Sequence, residues 1–410
     1  MDYRTAVNPT YFTAQATVFM LAGAGNADAQ EFIRDMGIHS TMEEGKKSSE
    51  KSPFPESEIK ALKTGAALAV EARYAAISRL LEKGSYKNML DIACGFTPRS
   101  LFCSKAGIDY VGMDVPVVAE QLQAFAEKKY PDAKHTTYIG GDATNAASLK
   151  AAADMLEGEL FISSEGLLGY LSRDELGQFI SGVRKILTEH GGAWYSSDCG
   201  VDYEQFTARN MNSPDAAKMY QAAKAQSMKA SNIYNDTAGF KSEEEKQAFL
   251  EERGLIVEKL PFYYGDEDLK MLKAIMPDKL NDMLDQLNRS TFWKMTVDTS
   301  SDFCEKIEGA KTVDDLSIEY FNEGDTLVCI PSGRIDTISA PALLEILEQN
   351  GIGLNALRMD AKQLEYISSA GLRVLMMAVK KLGKVSVINT PQAVKEIFET
   401  TGFDQLMSVE

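Results

Sequence analysis

Four carboxylates stand at or just beyond the ends of four short apolar runs. Asp91 closes Met89-Leu-Asp-Ile92, Asp114 follows Tyr110–Met113, Asp142 follows Tyr138-Ile139, and Glu165 follows Leu160–Ser163. After the first run comes a turn, Ala93-Cys-Gly95-Phe-Thr97-Pro98, whose single glycine lets a ligand approach the backbone without a Cβ in the way. Asp114 comes 23 residues after Asp91, where an acid accepts hydrogen bonds from two ribose hydroxyls. Asp142 suits the exocyclic amino group of adenine, and Glu165 stands over the middle of the same crevice. The chemistry is that of holding a nucleoside cofactor. A nicotinamide dinucleotide needs GxGxxG, because its pyrophosphate lies against a helix N-terminus. S-adenosyl-L-methionine carries no phosphate, so one close-approach glycine suffices. Its amino-acid head wants a cation, and Arg73 and Arg99 are both at hand.

The elements that must position these residues follow from the hydrophobic pattern. Short apolar runs at Lys87–Ile92, Tyr110–Met113, Leu160–Ser163 and Gly192–Ser196 alternate with helical segments, which predicts a parallel, doubly wound α/β sheet. Ser172-Arg-Asp-Glu175 is a capping box, opening a helix with an apolar stripe at Leu176, Phe179, Ile180, Val183 and Leu187 and leaving at Gly191-Gly192. Residues 1–60 are expected to form a helical and flexible lid segment. It includes a polar stretch, Glu43–Glu56, that buries too little apolar surface to order itself. Glu58 to Leu81 and most of 201–295 are expected to be helical. A linker is expected over 298–319, after a domain at 61–297, and a smaller α/β domain over 320–410.

Composition narrows the class. The chain has 410 residues with 43 Lys and Arg against 60 Asp and Glu, a formal net charge of -17, which disfavours a nucleic-acid partner. Its most apolar N-terminal stretch, Val18–Ala24, falls short of the roughly 20 residues a membrane span needs. The five scattered cysteines and three histidines indicate neither a disulfide framework nor a metal cage. A cytoplasmic protein with no membrane partner is the expectation.

Residues about 60 to 295 resemble the leucine carboxyl methyltransferase-like family of S-adenosylmethionine-dependent O-methyltransferases. The resemblance rests on Glu71-Ala-Arg73-Tyr74, Asp91–Arg99, Tyr110–Pro116, Gly141-Asp142 and Glu165-Gly-Leu-Leu-Gly-Tyr-Leu171. It implies a Rossmann-like class I methyltransferase sheet with a helical lid. It further implies that Arg73 holds the cofactor carboxylate, Gly95 lies under the cofactor, Asp114 binds the ribose, Asp142 the adenine, and Glu165 stands near the amine and sulfonium. Asp91 belongs with this cofactor-binding set. Ala93 and Thr97 depart from the family's richer glycine motif.

Methyl transfer is an in-line displacement, so catalysis is mostly orientation and desolvation. A carboxylate acceptor needs no base, whereas a phenol or alcohol does. His135 and His190 read as structural or exposed, and Tyr170 and Tyr195 are candidates to line the acceptor pocket. The acceptor is expected to be a carboxyl or hydroxyl group of a small molecule or a protein. A regulator that only senses the nucleoside stays open as the alternative.

A second constellation is Tyr366-Ile-Ser368-Ser369-Ala-Gly371, joining a strand to a helix. Ser is a favoured N-cap, and a helix N-terminus favours negative charge. With Ser332-Gly-Arg-Ile-Asp-Thr337 and Met359-Asp360, residues about 320–410 resemble the STAS family of the anti-sigma-factor antagonist type. That resemblance implies a four-helix-on-sheet domain that binds an anti-sigma, kinase-like protein partner, with Ser369 as the phosphorylation candidate. Ser368 stands where many members carry Asp.

Overall fold

The computed structural model describes residues 11–39, 58, 68–131, 135–198, 207–220, 222, 240, 242–265, 267–275, 277–299, 308–323, 326–351 and 354–410. The polar stretch at 43–56 and most of 58–67 lie outside them. The chain divides into one unit of Met1–Thr144 with Ser148–Asp298, and a second of Asn145–Ala147 with Thr299–Glu410.

The first unit is a seven-stranded sheet of β1 (Asn88–Ile92), β2 (Asp109–Asp114), β3 (Thr136–Gly140), β4 (Leu160–Ser164), β5 (Gly192–Ser196), β6 (Leu255–Pro261) and β7 (Thr291–Val297). Its order is β3-β2-β1-β4-β5-β7-β6. Strands β1 to β5 run parallel, and β7 runs antiparallel to both β5 and β6. β1 and β4 are buried at every position, which is why both read as continuous apolar runs rather than alternating ones. The order reverses at β1, with β2 on one side and β4 on the other. Ligands of open α/β sheets bind beyond the strand ends at such a switch point.

Helices cover both faces. In chain order they are α1 (Tyr11–Gly23), α2 (Ala27–Met36), α3 (Arg73–Lys83), α4 (Arg99–Ala106), α5 (Pro116–Lys129), α6 (Ala146–Ala153), α7 (Arg173–His190), α8 (Glu243–Glu251), α9 (Lys270–Ile275) and α10 (Leu280–Arg289). The α7 capping box is formed in both directions: Ser172 Oγ accepts from the Glu175 N–H, and Glu175 accepts from the Ser172 N–H at 2.8 Å. One face of the sheet packs Met89, Phe161 and Tyr195 against α3, α4 and α5; the other packs Leu90, Ile92, Ile162 and Trp194 against α7.

The stretch 201–295 is mostly helical where it is described, as expected, but it also contributes two sheet strands, Leu255–Pro261 and Thr291–Val297. The buried Phe292, Trp293 and Met295 tie the second of these to both sides of the core. Residues 27–36, within the expected lid segment, form a helix packed on the core. Ala29 and Phe32 are fully buried, Phe32 packs on Phe125 with ring centroids 4.8 Å apart, and Lys129 bridges Glu31 and Asp35 at 2.6 Å each. Lys105 and Lys129 belong to the last turns of α4 and α5. Those helices start at the strands' carboxyl ends, so α2 is seated at the opposite end of the sheet.

The second unit holds β8 (Glu308–Val313), β9 (Leu316–Glu323), β10 (Thr326–Ile335), β11 (Ala356–Asp360), β12 (Gln363–Ile367), β13 (Lys384–Ile388) and β14 (Ser408–Val409), with α11 (Ala340–Asn350), α12 (Ser369–Leu382) and α13 (Gln392–Thr401). The order is β14-β13-β11-β10-β9-β8, with β12 also pairing β10. β10 pairs β11 over Thr326–Cys329 and β12 over Ser332–Ile335, with a register shift between Gly333 and Arg334. Gly333 sits at φ +102°, and a Cβ there would collide with the Asp315 carbonyl oxygen. The expected linker at 298–319 is therefore shorter, since 308–319 already belong to a hairpin whose Leu316 and Ile318 are buried. Three α-helices and a short 3-10 turn (Phe403–Gln405) accompany this sheet among the described residues, rather than the four helices expected.

Candidate functional site

The turn after β1 is tied directly to the end of β2. The Gly95 N–H donates to Asp114 Oδ2 and the Val115 N–H to Asp114 Oδ1, each at 2.8 Å. Gly95 takes φ +53°, and Ala93 is also left-handed at φ +56°, a conformation that costs a residue with a Cβ on the order of 1 kcal/mol. Thr97 Oγ1 closes the turn on the Cys94 carbonyl at 3.0 Å. Burial pushes the Asp114 carboxyl above the usual carboxylate range, and the two backbone donors oppose that rise. Each oxygen still has a lone pair to offer. The Gly141 N–H reaches the Asp114 carbonyl at 2.9 Å, which sets the loop carrying Asp142 beside it. Asp142 itself is exposed, folded back onto Thr144 through N–H and hydroxyl bonds of 2.8 and 2.7 Å.

Asp91 is buried, with Tyr110 Oη donating to it at 3.1 Å and Ser163 Oγ donating to its other oxygen. Burial first, and then the nearby Glu165, push its carboxyl up to about 6. Asp91 is thus interior to the site's floor, below the level of the turn.

Past β4 the chain builds a charge cluster. Glu165 Oε2 accepts from Arg99 Nη2 at 3.2 Å, and Arg73 Nε is 4.0 Å from Oε1. Oε1 is buried and has no hydrogen-bond partner. Arg73 Nη1 is also 3.5 Å from Asp198 Oδ1. Arg99 was expected to be available for the head of a ligand, and that is corrected. It is fully buried over the Tyr74 ring, 4.0 Å to the centroid, and its Nη1 is spent on the Tyr74 carbonyl and Ser78 Oγ. An arginine opening a helix one turn past a strand looks like an anion site in sequence, but the packing of α3 on α4 closes over it.

Asp198, two residues beyond β5, did not enter the sequence-based site. It accepts the N–H groups of Gly166, Leu167 and Leu168 at 3.1, 3.0 and 3.1 Å. The signal was present: it is an acid just past the end of a parallel strand, the criterion that picked out the other four.

Of the acceptor-pocket candidates, Tyr170 closes a short 3-10 turn (Leu168–Tyr170) and is half-buried. Tyr195 is inside the core, stacked on Phe161 at 4.1 Å, with its hydroxyl 3.3 Å from that of Tyr86. Burial drives the Tyr195 hydroxyl's pKa upward. His135 is exposed and pairs with Asp109, and His190 lies 3.6 Å from Asp154 at the foot of α7. Neither is near the cluster around Glu165 through any of these contacts.

In the second unit Ser368 is the N-cap of α12, accepting from the Gly371 N–H at 3.5 Å, while its own N–H donates to the Ile335 carbonyl at 2.8 Å. Ser369 is the first residue of that helix and is exposed. Gly371 packs against Ile335 and Ile367, where a Cβ would meet side-chain carbons at 2.6 and 2.7 Å.

Comparison with known proteins divides along the same two units. Residues 328–408 match the family model described as Mlab, STAS domain. Over 92 residues the chain is 32% identical to BtrV of Bordetella bronchiseptica, described as an anti-sigma factor antagonist, covering 21% of this chain and 78% of that protein. Through this C-terminal unit the chain belongs to the STAS domain family of anti-sigma factor antagonists. Among solved structures, mitomycin 7-O-methyltransferase MmcR is similar at 12% identity and a TM-score of 0.33, covering 70% of this chain and 68% of that one. Magnesium protoporphyrin IX methyltransferase (ChlM) of Synechocystis PCC 6803, solved with bound SAH, gives 12% identity and a TM-score of 0.31, covering 68% and 98%.

Proposed function

We propose that the first unit is an S-adenosyl-L-methionine-dependent O-methyltransferase of the leucine carboxyl methyltransferase-like kind, acting on a carboxyl or hydroxyl oxygen of a small molecule or protein. The second unit serves as its regulatory docking domain for an anti-sigma or kinase-like protein. The observation that carries the reading is Glu165 Oε1, a buried carboxylate oxygen without a hydrogen-bond partner, whose companion oxygen is fixed by Arg99. Leaving a carboxylate oxygen buried without a hydrogen bond, with only the longer contact to Arg73, is costly, so its presence at the carboxyl edge of the sheet supports a cationic ligand group there.

The remaining residues fit the same ligand. Asp114, held by Gly95 and Val115, would take the ribose hydroxyls, and Asp142 the adenine amine. Arg73, which lies 4.0 Å from Glu165 and 3.5 Å from Asp198, would take the carboxylate. Asp91 would support the floor through Ser163 and Tyr110. When bound, S-adenosylmethionine supplies an electrophilic methyl group on a sulfonium. The chain's task is to hold that group in line with the acceptor oxygen and keep water away. An acceptor carboxylate suits this site best, because the buried Tyr195 hydroxyl, paired with Tyr86, is no base at neutral pH. That same observation favours the second reading, a sensor that binds the nucleoside and performs no chemistry.

Calorimetry with S-adenosylmethionine and S-adenosylhomocysteine, followed by methyl transfer over a panel of carboxylic and hydroxylic acceptors, separates the two. Binding with turnover is expected. Binding without turnover on any acceptor would favour the sensor, and no binding would end both. For the second unit, the exposed Ser369 beside the capped amides supports phosphorylation there. Phosphopeptide mapping after incubation with a cognate kinase should place the label on Ser369.

A further inference from the structure

The contacts of Asp198 reach well beyond its own strand. Its carboxylate collects three successive backbone N–H groups, Gly166, Leu167 and Leu168, which open the 3-10 turn after β4, and it also faces Arg73 Nη1. It is itself nearly buried, and its N–H is held by Ser196 Oγ at 3.2 Å, so the anchor is rooted in β5. The loop it pins begins at Glu165 and passes through Gly166, which has φ +69° and lies so close to Arg73 that a Cβ would stand 3.1 Å from Nη1. A three-donor grip on a carboxylate is a strong, directional arrangement.

From this we infer that Asp198 is a positioning residue. It sets the head-group end of the cofactor site by fixing, through one carboxylate, both the Glu165–Leu168 loop and the guanidinium of Arg73, without touching the ligand. The inference rests on the proposed cofactor reading and goes beyond it, because it assigns the geometry of the head-group end to β5 and leaves the adenosine end to β1 and β2. Asparagine is the informative replacement. Its Oδ1 can keep one side of the grip, but its Nδ2 would oppose the N–H donors on the other.

Two ligands that share adenosine but differ in the amino-acid head test the division: S-adenosylhomocysteine, and 5′-methylthioadenosine, which lacks the head. Calorimetry on the full chain should show Asp198→Asn weakening S-adenosylhomocysteine at least tenfold while 5′-methylthioadenosine changes less than twofold. Equal losses for the two ligands would mean a merely structural role and overturn the inference, as would no loss for either. If the wild-type chain binds neither, the cofactor reading itself fails, which is a distinct result. Should Asp198→Asn not fold, Gly166→Ala checked by circular dichroism provides the second arm. Its added methyl crowds Arg73 and strains the loop that Asp198 holds while leaving the Asp198 side chain in place, so the same head-selective loss is expected, and equal losses would again overturn the proposal.

Discussion

Arg99, without exposed surface, donates to Glu165 at 3.2 Å and is the only group hydrogen-bonded to that carboxylate among the described residues. Removing one partner of a buried ion pair leaves an uncompensated charge, at a cost of about 3–5 kcal/mol. Arg99→Met is therefore expected to destabilise the first unit by that order in urea unfolding. Adding Glu165→Gln to it should recover a good part of the loss. A double variant no more stable than Arg99→Met alone would show that the arginine acts through packing on Tyr74 rather than through its charge.

The bond from Gly95 to Asp114 makes a prediction about the other end of the site. Asp114→Ala removes a part-buried carboxylate that orders the turn and is the proposed ribose acceptor. It should weaken S-adenosylmethionine binding by more than tenfold, roughly the 1.4 kcal/mol or more of hydrogen bonds to a charged group. Calorimetry reads this directly, and an unchanged affinity would place the ribose elsewhere.

The contrast between these two ends shows what the sequence made legible. The positions of Asp114, Gly95 and Glu165 were legible because each falls at or just past a strand end, and strand ends follow from short apolar runs with clear stops. Arg99 was misjudged because the helix-start rule says nothing about which helix packs over it. Asp198 is less legible because it stands two residues past the end of its strand, behind the polar pair Ser196-Ser197. β6 and β7 were hidden for a different reason. β6 is an edge strand whose Ile256, Glu258, Lys259 and Pro261 are exposed, so it offers neither a buried run nor a clean alternation. The hairpin at 308–323 was obscured by its acidic, polar outer face in the same way.

Asp91 makes the stability of the first unit depend on pH. Its carboxyl is raised to about 6 in the folded protein by burial and by Glu165, against the usual 3.8. The folded state thus holds the proton more tightly. The contribution from this group is fully present below about pH 4 and is lost as pH rises through about 6, on the order of 2–3 kcal/mol in all. Urea unfolding from pH 4 to 7 should show wild type losing stability relative to Asp91→Asn across that window. Parallel curves for the two proteins would contradict the assignment.

The paired serines of the second unit separate by role. Ser368→Ala deletes the cap on α12 and should cost about 1 kcal/mol, while Ser369→Ala, at an exposed first helical position, should change stability by less than about 0.5 kcal/mol. Chemical unfolding of the two variants reads this difference. Equal costs would mean that the cap is shared between them.

The reversed direction of β7 settles where the polypeptide leaves the first unit. Thr291 stands level with the carboxyl ends of the parallel strands, and Val297 pairs with Leu255 at the far edge. Seven strand residues, roughly 20 Å of chain, therefore separate the crevice rim from the point of departure at Asp298. The chain thus leaves this unit from the base of the sheet, on the strand that carries Trp293, and not from the rim that carries Gly95 and Glu165.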